Sequence, residues 1–206
     1  EEARQKKSRI YDISEDNLNF KEKAGKYIDF LNANAYDKER DVRTNIAGEF
    51  QKSNLAAALQ TAELICGRLD EDKIYEALSQ IRISGRMEEI APGIIVDVSH
   101  NIQGMQGFVQ TVEANYHGMK KRILFAASHQ NEEEYMKNIL KTIPEIEAFY
   151  TVGIHKRRID EAEFQDAFRK MIDRNQETTV CFVVGSFYLA GMAKEFINQE
   201  EENVRL

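Results

Sequence analysis

The chain has 206 residues, enough for one large domain or for a small domain with a substantial appendage. Hydrophobic residues make up 42% and charged residues 31%, which excludes a disordered or fibrous protein and is typical of a globular one. The net charge of -7 argues against a broad electrostatic grip on nucleic acid or on an anionic membrane, so an anionic ligand needs a local cluster of cations.

The amino-terminal part combines short strands with two helices. Spaced aromatic residues predict short strands and a turn within 20–30. From 52 to 69 the apolar residues fall at helical spacing, with Ser53 or Asn54 as the expected N-cap. A second helix is predicted over 70–81, directly after the first.

The remainder of the chain alternates between strands and helices. We expect a domain boundary near Gly85, which gives an amino-terminal domain of residues 1–84 and a carboxyl-terminal domain of residues 85–206. A hairpin is predicted over 87–96. Uniformly apolar strands alternating with amphipathic helices predict an α/β fold with a mostly parallel, Rossmann-like sheet flanked by helices. The predicted strand and helix pairs are 94–97 with 104–116, 123–127 with 132–142, 148–152 with 161–174, and 180–184 with 188–198.

The two cysteines and the lack of a long apolar run bear on the cellular compartment. Cys66 and Cys181 each lie in an apolar segment without a zinc-binding pattern, so we expect buried, reduced thiols and no metal held by cysteine. No apolar run reaches about eighteen residues, and the amino-terminal segment lacks the apolar core of a signal peptide. These features favour a cytoplasmic protein with neither a membrane nor a nucleic-acid partner.

Polar residues are concentrated where the predicted parallel strands end, which is where α/β folds bind their ligands. Asp97 and His100 are separated by a strand-to-helix turn, so a carboxylate and an imidazole can face one ligand, with Asn101 beside them. The alternative is that Asp97 and Ser99 only cap the following helix.

Three further features suit an anion. Gly185 and Ser186 lie between a strand and a helix, where backbone amides favour negative charge, although glycine and serine begin many helices. Arg86 places a cation suited to bidentate phosphate contact at the predicted domain boundary, and its alternative is a solvated surface group. Residues 155–158 form a dense basic cluster that either attracts anions or is a solvated loop.

Four segments, taken in order, resemble those of folylpolyglutamate synthases and the related dihydrofolate synthases, members of the wider Mur ligase group. The segment IAGEFQKSN is similar to the family's Leu-x-Gly-x-(His/Phe)-Gln-x-x-Asn, and IVDVSHN is similar to its Leu-Asp-(Gly/Val)-Ala-His-Asn. The order and separations of the four make the match specific. The segments are 46–54 (IAGEFQKSN), 85–86 (GR), 95–101 (IVDVSHN) and 184–189 (VGSFYL).

The resemblance implies an ATP-dependent ligase, monomeric when full length, that joins glutamate to folate through an acyl phosphate with the help of magnesium. It implies that residues 1–84 are the tail of a central ATPase domain and that residues 85–206 are a Mur ligase C-terminal domain. An upstream P-loop domain would hold most of the magnesium ligands, so the fragment alone is expected to be inactive.

The roles that the resemblance implies for single residues fall into two groups. The nucleotide is expected beside Gln51, Asn54, Arg86 and Asp97. The glutamate substrate is expected beside His100, Asn101 and Ser186, with Asp97 and His100 as the catalytic residues.

One departure from the family leaves other functions open. Residues 128–132 (SHQNE) stand where relatives usually show Asp-Lys-Asp. A noncatalytic binding module derived from this family is therefore one alternative. A Mur-type peptide ligase of cell-wall synthesis, which shares the fold and the phosphoryl chemistry, is the other.

Overall fold

A computed structural model describes residues 19–23, 27–31, 42–44, 49–67, 69–128, 130–155, 158–172 and 178–205. The chain divides into two compact units, and the division falls between Ile81 and Arg82. No described helix has both the length and the apolar character needed to cross a membrane.

The first unit contains a small antiparallel sheet and two helices. The sheet has the order β1-β2-β3, formed by Asn19–Lys23, Tyr27–Leu31 and Val42–Thr44. The predicted strands within 20–30 are therefore confirmed, whereas β3 was not predicted. The helices are α1, Glu49–Cys66, and α2, Glu71–Gln80.

Two predictions about α1 are wrong. Ser53 and Asn54 do not cap the helix, because it begins at Glu49 and both lie within it. Cys66 is exposed, not buried, because it is the last residue of α1, whose final turn also exposes Ile65. Cys181 is buried as expected.

The second unit is an α/β domain that follows the predicted alternation of strands and helices. A turn of 3-10 helix, Gln130–Glu132, precedes α4. The short hairpin β8-β9 was not predicted. The strands are β4, Glu88–Ala91; β5, Ile94–Asp97; β6, Lys120–Phe125; β7, Ile146–Thr151; β8, Ile154–His155; β9, Arg158–Ile159; and β10, Thr179–Val184. The helices are α3, Ile102–Asn115; α4, Glu133–Leu140; α5, Glu161–Ile172; and α6, Phe187–Arg205.

The main sheet of this unit has five strands in the order β4-β5-β10-β6-β7. Strands β5, β10, β6 and β7 are parallel, and only β4 runs antiparallel, as the first arm of the hairpin with β5. The predicted mostly parallel, Rossmann-like sheet is confirmed. Because β10 lies between β5 and β6, the loops that follow these three strands are neighbours at one edge.

Apolar side chains fill both faces of the sheet, as a doubly covered parallel sheet requires. One cluster includes Phe108, Phe125 and Phe182 and lies on the side of α3 and α4. The other includes Phe168 and Leu189 and lies on the side of α5 and α6. The two cores hold the strand ends in fixed positions, so the loops that carry the polar residues have a rigid base.

Candidate functional site

The loops after β5, β6 and β10 meet at the carboxyl edge of the parallel strands. The Gly185 N–H donates to the Asp97 carbonyl at 3.3 Å, and the Ser128 hydroxyl donates to the Gly185 carbonyl at 3.4 Å. The His100 and Phe187 rings lie 5.5 Å apart, centroid to centroid. The predicted site residues of the second unit are therefore gathered at one edge of the sheet.

Arg86 joins this edge through a tight turn that leads into β4. Its neighbours Gly85 and Met87 both have left-handed backbone conformations, with φ of +72° and +44°. A side chain on Gly85 would approach Val98 Cγ1 to 2.7 Å, so only glycine fits there without a shift. The Arg86 guanidinium is half-buried, and among the described residues no hydrogen bond or ion pair from it is found. It is thus a cation presented at the site.

Asp97 is buried, with 1% of its surface exposed, and both of its carboxylate oxygens are occupied by protein donors. Oδ1 accepts from the Ser99 N–H at 2.9 Å and from the Ser99 hydroxyl, while Oδ2 accepts from the Met87 N–H at 2.9 Å. Burial raises the pKa of Asp97, and these hydrogen bonds together with the charge of Arg86 oppose that rise. The carboxylate therefore ties the Arg86 turn to the loop after β5.

Ser186 is also buried, with 1% exposed, and directly precedes α6. Its hydroxyl oxygen accepts from the Tyr188 N–H at 3.1 Å, and its carbonyl accepts from the Ala190 N–H at 3.1 Å. Gly185 before it has a φ of +106°, and a Cβ there would lie 2.6 Å from the Ala126 carbonyl oxygen. Ser186 therefore shapes the start of α6, whose first residues, Phe187 and Tyr188, are exposed.

His100 is half-buried, and one of its ring nitrogens is committed. Its Nδ1 lies 3.1 Å from the Val98 carbonyl oxygen. Because a carbonyl only accepts hydrogen bonds, Nδ1 carries the proton of the neutral ring, which leaves Nε2 as an acceptor. This arrangement suits a residue that receives a hydrogen bond or a proton from a ligand.

Asn101 is the N-cap of α3, and its side-chain oxygen accepts from the Gly104 N–H at 2.7 Å. The alternative that Asp97 and Ser99 cap this helix is therefore wrong, because Asn101 performs that function. The Asn101 side chain is exposed, and its amide group keeps its donors for another partner.

The remaining predicted ligand-binding residues belong to the first unit. Gln51 and Asn54 lie one turn apart on α1, and the Asn54 side-chain amide donates to Gln51 Oε1 at 2.9 Å. Gln51 is buried, whereas Asn54 is exposed. Their predicted role beside a nucleotide stays a prediction.

The predicted basic cluster falls partly outside the described residues, which omit positions 156–157. His155 and Arg158 are exposed on the β8-β9 hairpin. Among the described residues, no three acidic, histidine or cysteine side chains lie together in a way that could hold a metal ion, and the Asp97 oxygens already accept from N–H and O–H donors. The described residues around Asp97 therefore do not fit a magnesium site.

Sequence reasoning missed the residues that support the site. Ser99 was named only as a possible helix cap, and its contact with the Asp97 carboxylate was not predicted. Glu88 and Lys194, which contact the Arg86 turn, lie on different elements far apart in the chain, and no motif joins them.

Comparison of the chain with known proteins finds relatives of its fold among solved structures only. No protein-family model matches the chain, and no curated protein matches it. Solved structures do match. A folylpolyglutamate synthase from Thermotoga maritima superposes with a TM-score of 0.71 at 22% identity, over 95% of this chain and 50% of that one.

Two other structures extend the likeness. The apo form of the Lactobacillus casei folylpolyglutamate synthase has a TM-score of 0.70 at 18% identity, over 88% of this chain and 45% of its own. A pseudomurein peptide ligase type C from Methanothermus fervidus has a TM-score of 0.65 at 18% identity, over 89% of this chain and 42% of its own.

These matches confirm the predicted resemblance at the level of the fold. The chain has the fold found in folylpolyglutamate synthases and in a Mur-type ligase. It spans half or slightly less of the length of these structures.

Proposed function

We propose that this chain is part of an ATP-dependent ligase that joins the amino group of glutamate to a carboxylate of folate. The fold supports this proposal, since neighbouring structures include a folylpolyglutamate synthase complexed with AMPPCP and folate, and Escherichia coli FolC with DHPP and ADP. The observation that carries the proposal is the gathering of Arg86 and His100 at the carboxyl edge of the parallel strands, where α/β folds bind ligands.

The proposed reaction has two steps. A substrate carboxylate oxygen attacks the γ-phosphorus of ATP, which forms an acyl phosphate and releases ADP. The glutamate amine then attacks the acyl carbon, phosphate leaves with the electron pair of the broken C–O bond, and the amine loses a proton as the amide forms. Most of the catalytic effect in such a sequence comes from positioning and from neutralising charge.

Arg86 is the proposed phosphate contact. Its guanidinium has five donors in a planar fork that suits phosphate oxygens, and it makes no hydrogen bond or ion pair with a described residue, although its charge acts on Asp97. Gln51 and Asn54 of the first unit are proposed as further nucleotide-binding residues. Asp97 is proposed to act on the nucleotide indirectly, because its oxygens hold the turn that carries Arg86.

His100 is the proposed acceptor for the incoming glutamate. Its Nε2 accepts a hydrogen bond from the glutamate amine and can take the proton that the amine loses. The exposed Asn101 amide and the start of α6 at Ser186 lie beside it and are proposed to orient the glutamate carboxylates through their N–H groups.

A product assay tests the proposal. The protein expressed from its complete reading frame is incubated with ATP, magnesium, folate and glutamate, and mass spectrometry follows folate species that gain one glutamate residue. We expect ADP release that requires both folate and glutamate, and we expect the 206-residue chain alone to be inactive. Nucleotide turnover without any folate–glutamate amide would contradict the substrate assignment.

Two variants assign roles within that assay. Arg86→Ala is expected to raise KM for ATP and His100→Ala to raise KM for glutamate, each by roughly tenfold, the equivalent of one charge-assisted hydrogen bond. His155→Ala is the matched control, because His155 is exposed on the separate β8-β9 hairpin. Equal effects of all three substitutions would remove the basis for the assignment.

A Mur-type peptide ligase is the second candidate, favoured by the match to the pseudomurein peptide ligase. It uses the same phosphoryl chemistry with a different carboxylate. In the same assay, ATP turnover that requires an amino acid and a peptide carboxylate, and does not require folate, would favour this candidate.

A noncatalytic binding module is the third possibility, raised by residues 128–132. In the structure, the Ser128 hydroxyl donates to the Gly185 carbonyl, so this segment supports the loop before α6. If the module hypothesis is correct, Arg86→Ala and His100→Ala leave the cellular role of the complete protein intact.

A further inference from the structure

The turn that presents Arg86 has an unfavourable backbone conformation that needs support from its neighbours. Met87 is a non-glycine residue with a φ of +44°, and Gly85 on the other side of Arg86 has a φ of +72°. A non-glycine residue in the left-handed region carries a cost that the surrounding structure must offset. The contacts around the turn therefore decide where the Arg86 side chain points.

One side of the turn is fixed by the loop after β5. The Met87 N–H donates to Asp97 Oδ2 at 2.9 Å, and the Val98 N–H donates to the Gly85 carbonyl at 2.8 Å. The Met87 side chain is packed into the core with 9% of its surface exposed. This side belongs to the candidate site at the carboxyl edge.

The other side is fixed by an ion pair that no sequence motif contains. Glu88 Oε2 accepts from the Gly85 N–H at 2.6 Å and pairs with Lys194 Nζ of α6 at 2.5 Å. Lys194 also donates to the Ser84 hydroxyl at 2.6 Å, and that hydroxyl lies 3.3 Å from Glu88 Oε2. Four residues thus form one closed network around the amide that precedes Arg86.

The charge state of Glu88 suits this role. Burial alone would raise the pKa of Glu88, but the hydrogen bonds from Lys194 and from the Gly85 N–H, with the attraction to Lys194, outweigh burial and lower it. The side chain is therefore a carboxylate at neutral pH and a strong acceptor for the Gly85 amide.

We propose that Glu88 and Lys194 are positioning residues for Arg86, which rests on the proposed role of Arg86 in ATP binding. Lys194 lies on α6, the helix that begins directly after Ser186, while Glu88 lies on β4. The pair connects the Arg86 turn to the same rigid helix whose start forms the His100 side of the site. The separation between the proposed phosphate contact and the proposed glutamate contact thereby depends on α6 as well as on the loop after β5.

Lys194→Met tests the proposal, since methionine keeps the apolar stem and removes the charge. Amide hydrogen exchange of the 206-residue chain, followed by NMR, measures protection at Gly85 and Met87, and steady-state kinetics of the protein from the complete reading frame measures KM for ATP. Lys194→Arg is the conservative variant. Lys170→Met is the matched control, because Lys170 pairs with Asp166 on the exposed face of α5, at 2.6 Å.

We expect Lys194→Met to speed exchange at Gly85 and to raise KM for ATP about three- to tenfold with little change in kcat, since the pair is partly exposed and screened. Lys194→Arg should restore both values, and Lys170→Met should change neither. Unchanged exchange at Gly85, or faster exchange with an unchanged KM for ATP, would overturn the proposal.

A different result would identify failure of the proposed function itself. If the unmodified complete protein shows no ATP-dependent ligation, the ligase assignment is wrong whatever Lys194→Met does. The exchange measurement on the 206-residue chain then decides separately whether the ion pair holds the turn.

Discussion

Charged side chains lie at both ends of the parallel strands, the amino edge and the carboxyl edge, but the two ends differ in how these charges are paired. At the amino edge, the three cations of β6 pair with carboxylates within the fold. At the carboxyl edge, Asp97 and Glu88 accept hydrogen bonds from backbone amides and Glu88 pairs with Lys194, while the Arg86 guanidinium and His100 Nε2 make no hydrogen bond with a described residue. The difference separates charges that support the fold from charges that are available for chemistry.

At the amino edge, the charged side chains of β6 support the fold. Lys121 has a fully buried side chain whose Nζ lies 2.9 Å from Glu145, and Arg122 Nε lies 2.8 Å from Glu147. Arg122 also donates to the Met171 carbonyl at 3.0 Å. The Lys121 and Arg122 hydrogen bonds lower the pKa of Glu145 and of Glu147, respectively. Each cation therefore has its partner within the fold.

Gly185→Ala is expected to cause the largest loss of stability. A Cβ at this position would lie 2.6 Å from the Ala126 backbone oxygen with a φ of +106°, and the backbone cannot move away cheaply. We expect the free energy of unfolding to fall by about 3 kcal/mol, measured by urea denaturation.

Gly191→Ala is the matched control for that change. Gly191 lies within α6, and an added Cβ there meets no atom within 4 Å. It should leave stability unchanged or raise it by about 0.5 to 1 kcal/mol through helix propensity. Equal losses from both substitutions would show that the close approach at the carboxyl edge is not what constrains Gly185.

Asp97→Asn is expected to have the next largest effect. Asparagine keeps one acceptor but turns an amide group toward a backbone N–H, so one buried donor loses its partner, at a cost of about 2 kcal/mol. Amide exchange at Met87 should become faster, because Oδ2 holds that N–H.

The pH dependence of the same variant gives the sign of the Asp97 contribution. The pKa of Asp97 in the folded state is raised above 3.8, so the folded state binds the proton more tightly than the unfolded state does. The stability of the unmodified protein relative to Asp97→Asn should therefore fall as pH rises from 3.8 through the raised pKa. A relative stability that rises with pH would contradict the role of burial at this residue.

Substitutions in the Lys121–Glu145 pair should cause a smaller loss of stability. Glu145→Gln leaves a fully buried ammonium beside a neutral amide, whereas Lys121→Met leaves the half-exposed Glu145 facing water. We therefore expect Glu145→Gln to be the more destabilising of the two in urea denaturation.

The pH dependence of stability distinguishes the amino edge from the carboxyl edge. The pKa of Glu145 is lowered below 4.5. Its contribution to the stability of the fold is therefore present above 4.5 and is lost as pH falls through the lowered pKa. Glu145→Gln should remove that loss. The same acid sensitivity in both proteins would show that the pair does not support the fold.

The fold of the second unit could be predicted because its strands are uniformly apolar and its helices are amphipathic. The strand over 94–97 agrees with β5 residue for residue, and the predicted helices over 104–116 and 161–174 overlap α3 and α5. The β8-β9 hairpin was missed because two-residue strands have no periodicity. The exposed Cys66 was missed because an apolar sequence does not show which turn of a helix is left uncovered.

The site could be predicted only as a set of positions along the chain. Strand order places the loops after β5 and β10 side by side, and that order follows from long-range packing. Local sequence could not show that Asp97 is fully engaged by Met87 and Ser99, nor that Glu88 finds Lys194. These contacts depend on residues that only the folded sheet brings together.

Hydrogen exchange with mass spectrometry on the protein from the complete reading frame, with and without ATP, tests the contrast between the two edges most directly. We expect ATP to protect the carboxyl-edge segment 84–87 and, once glutamate is added, segments 98–101 and 185–188 as well, while the amino-edge segments 120–122 and 145–147 stay unchanged. Protection confined to the amino edge, or no protection in either set, would contradict the proposed division of roles between the edges.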